Sequence, residues 1–247
     1  MFVAADTPRY KLIACEILYR ELCYCVALSR NIVDLEFLPK GLHDLGEEKM
    51  SARLQQAVDA VDRGRYQAIL LGYALCNNGI RGLSGPLPLV VPRAHDCITL
   101  LLGSKERYQE VFHANPGTYF ESTGWLERNE AAEGGIAEQL GLRSSYEDYV
   151  RQYGEDNAKY LMEVLGDGLH NYSAYAYIGS GIGDFRHYEG LTQADAQARG
   201  WSYSRLEGDL GLLRRLVDGP WDDAEFLVVP PGKHPVPSHD AGVIRAE

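Results

Sequence analysis

Three cysteines stand at the polar ends of apolar runs. Cys15 closes Tyr10-Lys11-Leu12-Ile13-Ala14-Cys15, and Cys76 follows Ile69-Leu70-Leu71-Gly72-Tyr73-Ala74-Leu75. Cys97 follows Leu89-Val90-Val91-Pro92 by way of the elbow Arg93-Ala94-His95-Asp96. A thiolate is a soft donor and a strong nucleophile, so three that converge would form a metal centre or a reactive-thiol centre. With His95 as a fourth ligand, the set Cys15, Cys76, Cys97 suits zinc, which takes four tetrahedral N and S donors and leaves one position open where it is catalytic. Three thiolates without the histidine suit a [4Fe–4S] cluster with one open iron. The neighbouring histidine favours zinc and the three-cysteine count favours the cluster; both stay open. The separations are long and no Cys-x-x-Cys pair is present, so convergence depends on the fold.

Asp96 is a good helix N-cap, which places Cys97 in a first helical turn, where unpaired backbone N–H groups favour an anion. That position predicts a depressed thiol pKa. Glu16, beside Cys15, is the candidate catalytic general base; Asp184 and Asp209 are further carboxylates at strand ends, and each also reads as a helix cap. His43 and His95 are candidate ligands, set against the plainer reading of a histidine donating to a backbone carbonyl. Cys23 and Cys25 fall inside an amphipathic helix and read as small buried hydrophobes. The turn Gly179-Ser180-Gly181-Ile182-Gly183 is a candidate cofactor-binding loop, able to cradle a phosphate or carboxylate through backbone N–H groups. Its spacing departs from the dinucleotide fingerprint, and no acidic residue in the right context follows about twenty residues on. There is no Walker lysine motif and no G-x-S-x-G elbow.

The elements that must position these residues alternate. Tyr10–Cys15, Leu35–Leu38, Tyr66–Gly72 and Leu87–Val91 read as strands. Glu16–Arg30, a stretch of about fourteen residues after His43, and Cys97 to Phe112 through Gly103 read as helices. Strands alternating with helices predict an α/β fold of βα units with mainly parallel sheets. Asn115-Pro116-Gly117 marks the expected boundary between a lobe at 1–115, carrying the Cys/His elbows, and a lobe at 116–247. In the second lobe Gly124-Trp125 reads as a turn and 144–165 as a helix. A second βα series follows, ending in the strand Phe226–Val229 and a proline-rich wrapping tail. Ligands of open parallel sheets bind outside the strand C-terminal ends, so the site is expected there, in a cleft between the lobes.

Composition narrows the function classes. The 247 residues are 45% hydrophobic and 24% charged with net charge −11. That balance disfavours nucleic acid and anionic membrane as partners and leaves a small-molecule substrate. The N-terminus lacks the features of a secretory signal, and no apolar run reaches the roughly 20 residues of a spanning helix. Five cysteines are too few and too odd for a disulfide scaffold, so a reducing cytoplasm is the expected setting.

The letters also carry a family resemblance. Cys15-Glu16, Gly41-Leu42-His43, Leu71-Gly72-Tyr73-Ala74-Leu75-Cys76-Asn77-Asn78-Gly79 and the elbow from Arg93 to Ser104 resemble the family catalogued as domain of unknown function 1638. So do Pro116-Gly117-Thr118-Tyr119, Gly124-Trp125, Tyr153-Gly154-Glu155-Asp156-Asn157-Ala158, Glu207-Gly208-Asp209 and Val228-Val229-Pro230-Pro231-Gly232. The resemblance brings no established activity. It implies a setting in anaerobes and methanogens beside corrinoid methyltransferase systems, hence one-carbon chemistry and a methyltransferase-system protein as partner. The expectation drawn from residues and resemblance together is a zinc or iron–sulfur enzyme acting on a small thiol or amine. A non-catalytic carrier or sensor is the alternative.

Overall fold

The computed structural model describes residues 7–76, 78–130, 155, 172–183, 186–238 and 240–247. The expected helix at 144–165, its tyrosines and Asp184 lie outside them, as does the side chain of His43. The described chain is mixed α/β, with mainly parallel sheets. It divides into two compact units. The first takes Met1–Glu110, Ser180–Gly183 and Glu207–Glu247; the second takes Val111–Gly179 and Asp184–Leu206. The division is therefore not a single cut near residue 115.

The first unit holds a five-stranded sheet. β1 (Arg9–Cys15), β2 (Ile32–Leu38), β3 (Ala68–Gly72), β4 (Leu89–Pro92) and β8 (Phe226–Val229) run in the order β2-β1-β3-β4-β8. The first four are parallel, and β8 pairs antiparallel with β4. β3 and β4 are buried along their whole length, as continuous apolar runs in the middle of a parallel sheet should be. A Cβ at Gly72 would lie 2.4 Å from the Cβ of Ala14, so glycine is what lets β3 pair this closely with β1. After a 3-10 turn at Glu16–Leu18, α1 (Tyr19–Leu28) buries Leu22 and Cys25. α2 (Glu47–Asp59) buries Met50, Leu54, Ala57 and Val58, the stripe its periodicity predicts.

The expected single helix from Cys97 is two. α3 (Cys97–Leu102) stops at Gly103, which turns left-handed (φ +85°) and donates its N–H to the Thr99 carbonyl. Ser104 then accepts from the Arg107 N–H at 3.1 Å and opens α4 (Lys105–Ala114). A glycine tolerable inside a helix acts here as a C-cap, because Asp209 packs where a Cβ would sit, 2.6 Å away.

The second unit holds β5 (Thr118–Ser122), β6 (Ala174–Gly179) and β7 (Ser202–Glu207) in the order β5-β6-β7. β5 runs directly into α5 (Thr123–Glu130), where Gly124-Trp125 reads as a turn in sequence. α6 (Arg186–Arg199) packs on β6, and Thr192 donates to the buried carboxylate of Glu121 at 2.7 Å.

The expected second series loses its last strand to the first sheet. After α7 (Gly211–Asp218), which packs on α1, β3 and β4, the chain returns as β8 along the edge of β4. A run of four apolar residues does not state which sheet it will complete; a free edge beside β4 does. Arg93 fixes this return. Its side chain, only 10% exposed, ion-pairs with Asp223 at 2.8 Å and donates to the carbonyls of Asp223, Gly242 and Ile244. β9 (Pro235–Pro237) and β10 (Ile244–Ala246) form the closing hairpin. Arg93→Ala should lower stability by about 3 kcal/mol, read from the urea midpoint, because it strips a charged donor from the two partly buried carbonyls of Gly242 and Ile244 and from Asp223 at once. Arg93→Lys should recover less than half of that, since an ammonium cannot reproduce the fork.

Candidate functional site

The three adjacent parallel strands β1, β3 and β4 each hand over to a cysteine at or beyond their C-terminal ends. Cys15 is the last residue of β1. Cys76 follows β3 by four residues, in a loop tied to the elbow after β4: Leu75 N–H donates to the Ala94 carbonyl at 3.0 Å and Cys76 N–H to the His95 carbonyl at 2.9 Å. Cys97 opens α3, whose N-cap Asp96 accepts from the N–H groups of Ile98 and Thr99 at 3.1 and 3.2 Å. All five cysteines are free thiols. Neighbouring strands lie about 4.8 Å apart, so three consecutive strand ends bring their loops together.

Cys76 stands in the left-handed region, at φ 45°, as does Asn78 at φ 66°. Asparagine tolerates that conformation; for cysteine it costs about 1–2 kcal/mol, which glycine would not incur. The loop therefore carries a thiol where its backbone favours no side chain.

The thiols feel one another. Burial pushes Cys15 from its ordinary 9.0 up to about 12; the Glu16 carboxylate adds to this, while the Ile17 N–H and Lys40 oppose it. Burial likewise pushes Cys76 up to about 12, reinforced by charge on Cys15 and Asp96. Cys97 is raised well above its ordinary value by burial first, then by charge on Cys76, Asp96 and Cys15. The helix-start argument for a depressed Cys97 is overturned. α3 is six residues long, its first N–H groups are occupied by Asp96, and burial among other ionisable groups outweighs what remains.

Two residues that sequence reasoning passed over belong to this end of the sheet. Tyr73, one residue beyond Gly72 and so beside Cys15, is buried, and its phenol is raised by burial and by charge on Cys15, Cys76 and Glu16. Lys40, after β2, is buried, and its charge slightly offsets the rise at Cys15. A tyrosine inside an apolar run and a lysine inside Pro39-Lys40-Gly41 both read as ordinary packing and turn residues, so no local signal marks them.

The other expected residues stand as follows. Glu16 is half-buried, and its Oε1 accepts from the Lys40 N–H at 3.0 Å, joining the ends of β1 and β2. His95 is exposed, and its carbonyl rather than its ring is the group shown to meet the Cys76 loop. Asp209 accepts from the Gly211 N–H at 2.7 Å at the start of α7. Gly179 ends β6, with the Arg205 guanidinium 3.2 Å from where its Cβ would be. Gly181 and Gly183 have φ of 72° and 86°, conformations that glycine adopts without strain. Cys25 is buried in α1 and Cys23 half-buried, as packing residues would be.

Among the described residues, no group of three or more His, Cys, Asp or Glu side chains is arranged to hold a metal ion. Three thiols within one another's field fit a soft metal by donor type; they do not stand as a ligand group. With all three neutral, the folded state holds protons that the unfolded chain releases near the ordinary thiol value of 9.0. Stability should therefore be full below about pH 9 and fall as pH rises toward 12. A triple Cys15→Ala, Cys76→Ala, Cys97→Ala chain should lose much of that alkaline slope in urea titrations from pH 7 to 11.

No curated protein and no solved structure matches the chain, and no helix among the described residues is long and apolar enough to cross a membrane. A family model does match, over residues 37–217, a span that includes Cys76, His95 and Cys97 and begins after Cys15 and Glu16. With well over half of its length matched, the chain belongs to the family described as Protein of unknown function (DUF1638).

Proposed function

We propose that the chain is a cytoplasmic enzyme that acts on a small thiol or amine at a soft-metal centre held by Cys15, Cys76 and Cys97. Zinc is the metal favoured, with a [4Fe–4S] cluster as the alternative. The observation that carries the reading is Cys76: its backbone is held at φ 45°, charge on Cys15 would raise the cost of ionising it, and charge on both would raise that of Cys97. Packing alone gives no reason for a side chain there, whereas a bound cation would displace the thiol protons and stabilise the thiolates. A bound zinc would supply an open position at which a substrate thiol or amine is held in a more nucleophilic form. The chain's own residues do the rest. The thiols furnish donors, Asp96 fixes the start of α3, Glu16 ties the ends of β1 and β2, and Tyr73 stands next to Cys15 in the neighbouring strand. Methyl transfer, with a methyltransferase-system protein as partner, is the concrete version, and its support is the family resemblance alone.

A carrier or sensor is the second reading. It is favoured by Glu16, whose Oε1 already accepts the Lys40 N–H and so leaves the expected general base with a structural task.

Metal analysis of chain purified without oxygen tests the centre. About one zinc or one cluster per chain is expected, lost in Cys97→Ala and Cys76→Gly and kept in Cys23→Ala. Cys76→Gly also relieves the left-handed strain, so it should stay folded, with stability equal to or about 1 kcal/mol above the parent. A metal-free parent, or full metal in both site variants, would overturn the reading.

A further inference from the structure

We propose that the cleft between the turn at 78–82 and the closing hairpin binds a small amino or hydroxy acid. Arg81 and Asn78 take its carboxylate, and Glu247 takes its ammonium or hydroxyl. The proposal goes beyond the reading above and uses none of the three thiols.

The walls of the cleft are tied together through backbone. In the turn, Gly79 N–H donates to the Cys76 carbonyl at 3.1 Å and Arg81 N–H to the Asn78 carbonyl at 2.9 Å. Gly82 N–H then donates to the Pro235 carbonyl at 3.0 Å, and the Ser51 hydroxyl of α2 donates to the Arg81 carbonyl at 3.2 Å. The turn is thus pinned to β9 on one side and to α2 on the other. In the hairpin Val236 pairs with Arg245, and reciprocal backbone bonds between His234 and Glu247, both 3.0 Å, extend the ladder by one step. Residues two apart on a strand share a face, so Arg245 and Glu247 lie side by side with Val236 opposite Arg245. The cleft measures about 460 Å³, within the range of small-molecule sites, and is lined by Asn78, Arg81, Val236, Pro237, Arg245 and Glu247.

A surface arginine needs no ligand. What singles out this cleft is which hydrogen-bonding groups stay open in it. Among the described residues the Arg81 guanidinium donates no hydrogen bond, and its ion pair with Glu47, at 3.5 Å, joins two exposed side chains. Such a pair is weak in water. The Asn78 amide has no hydrogen-bond partner among the described residues either. Arg245 donates twice to Glu247 Oε1, which leaves Oε2 open to a donor. A fork of donors beside an amide suits a carboxylate, and Oε2 on the facing wall suits an ammonium or hydroxyl. Val236 and Pro237 give the carbons between them an apolar wall. Phosphate would meet the Glu247 carboxylate as well as the arginines, and a plain carboxylic acid would leave Oε2 without a partner.

Saturation-transfer NMR on the full chain, stripped of metal by a chelator, tests this with L-valine, lactate, propionate and inorganic phosphate as probes. At least one of valine and lactate should bind at millimolar concentration, with propionate and phosphate about tenfold or more weaker. Arg81→Gln should weaken the bound acid about tenfold or more, and Arg81→Lys by less, since it keeps the charge and loses the fork. Glu47→Gln releases Arg81 from its ion pair and should bind the acid as tightly as the parent or more so. Glu247→Ala should abolish the preference over propionate. An unchanged melting temperature checks that each variant stays folded; were Arg81→Gln to unfold, the Glu247→Ala comparison still decides. No transfer to valine or lactate, equal binding of propionate by the parent, tighter binding of phosphate, or unchanged affinity in folded Arg81→Gln each overturns the proposal. Because the chain is metal-free, none of these outcomes depends on zinc uptake.

Discussion

The close pairing of β3 with β1 at Gly72 and Ala14 governs what the far end of the first sheet can hold. With a Cβ at 72 the two strands would have to part, since it would lie 2.4 Å from the Ala14 Cβ and 3.1 Å from Leu22. Because they do not part, Tyr73 emerges beside Cys15, and the loop that follows can reach across to the elbow after β4. Two backbone hydrogen bonds, from Leu75 and Cys76 to Ala94 and His95, then hold the Cys76 loop against the loop carrying Cys97. The approach of the Cys76 loop to the elbow before Cys97 is thus a consequence of main-chain geometry.

What that chemistry costs separates a core from a site. Three neutral thiols are good packing material, and burial keeps them neutral. A core built for stability alone would carry alanine or valine at Cys15 and Cys97 and glycine at Cys76, losing the left-handed strain and the alkaline sensitivity together. Strain at Cys76 and the burial of the Lys40 ammonium each lower stability, and both fall at strand ends of the first sheet.

Much of this was legible in the letters, for a physical reason. Apolar runs such as Ile69–Leu71 and Val90–Val91 declare buried strands locally, and a cysteine just past each run falls at a sheet end in any parallel arrangement. What was not legible depends on partners far along the chain. Gly103 breaks a helix because Asp209 packs against it, and Phe226–Val229 joins β4 because that edge is open. Tyr73 and Lys40 come to the same sheet end as Cys15 because β3 and β2 flank β1, which no local pattern encodes. Cys97 defeats the helix-terminus argument because its burial, and after that the charge on Cys76 and Cys15, arise only once the fold is made. The sign of an electrostatic effect was the least readable quantity of all, since it is decided by the sum of surroundings rather than by one element.

The elbow from Arg93 to Cys97 joins these strands of argument. Within five residues it carries the guanidinium that holds the returning tail, the carbonyls that fix the Cys76 loop, the cap of α3 and one of the three thiols. The anchors of Arg93, Asp223, Gly242 and Ile244, lie more than a hundred residues away in sequence and hold the elbow at its first residue. A loosened tail would therefore free Ala94 and His95, the acceptors of Leu75 and Cys76, and with them the left-handed geometry at Cys76. The tail thus bears on the Cys76 loop through the backbone of one short elbow.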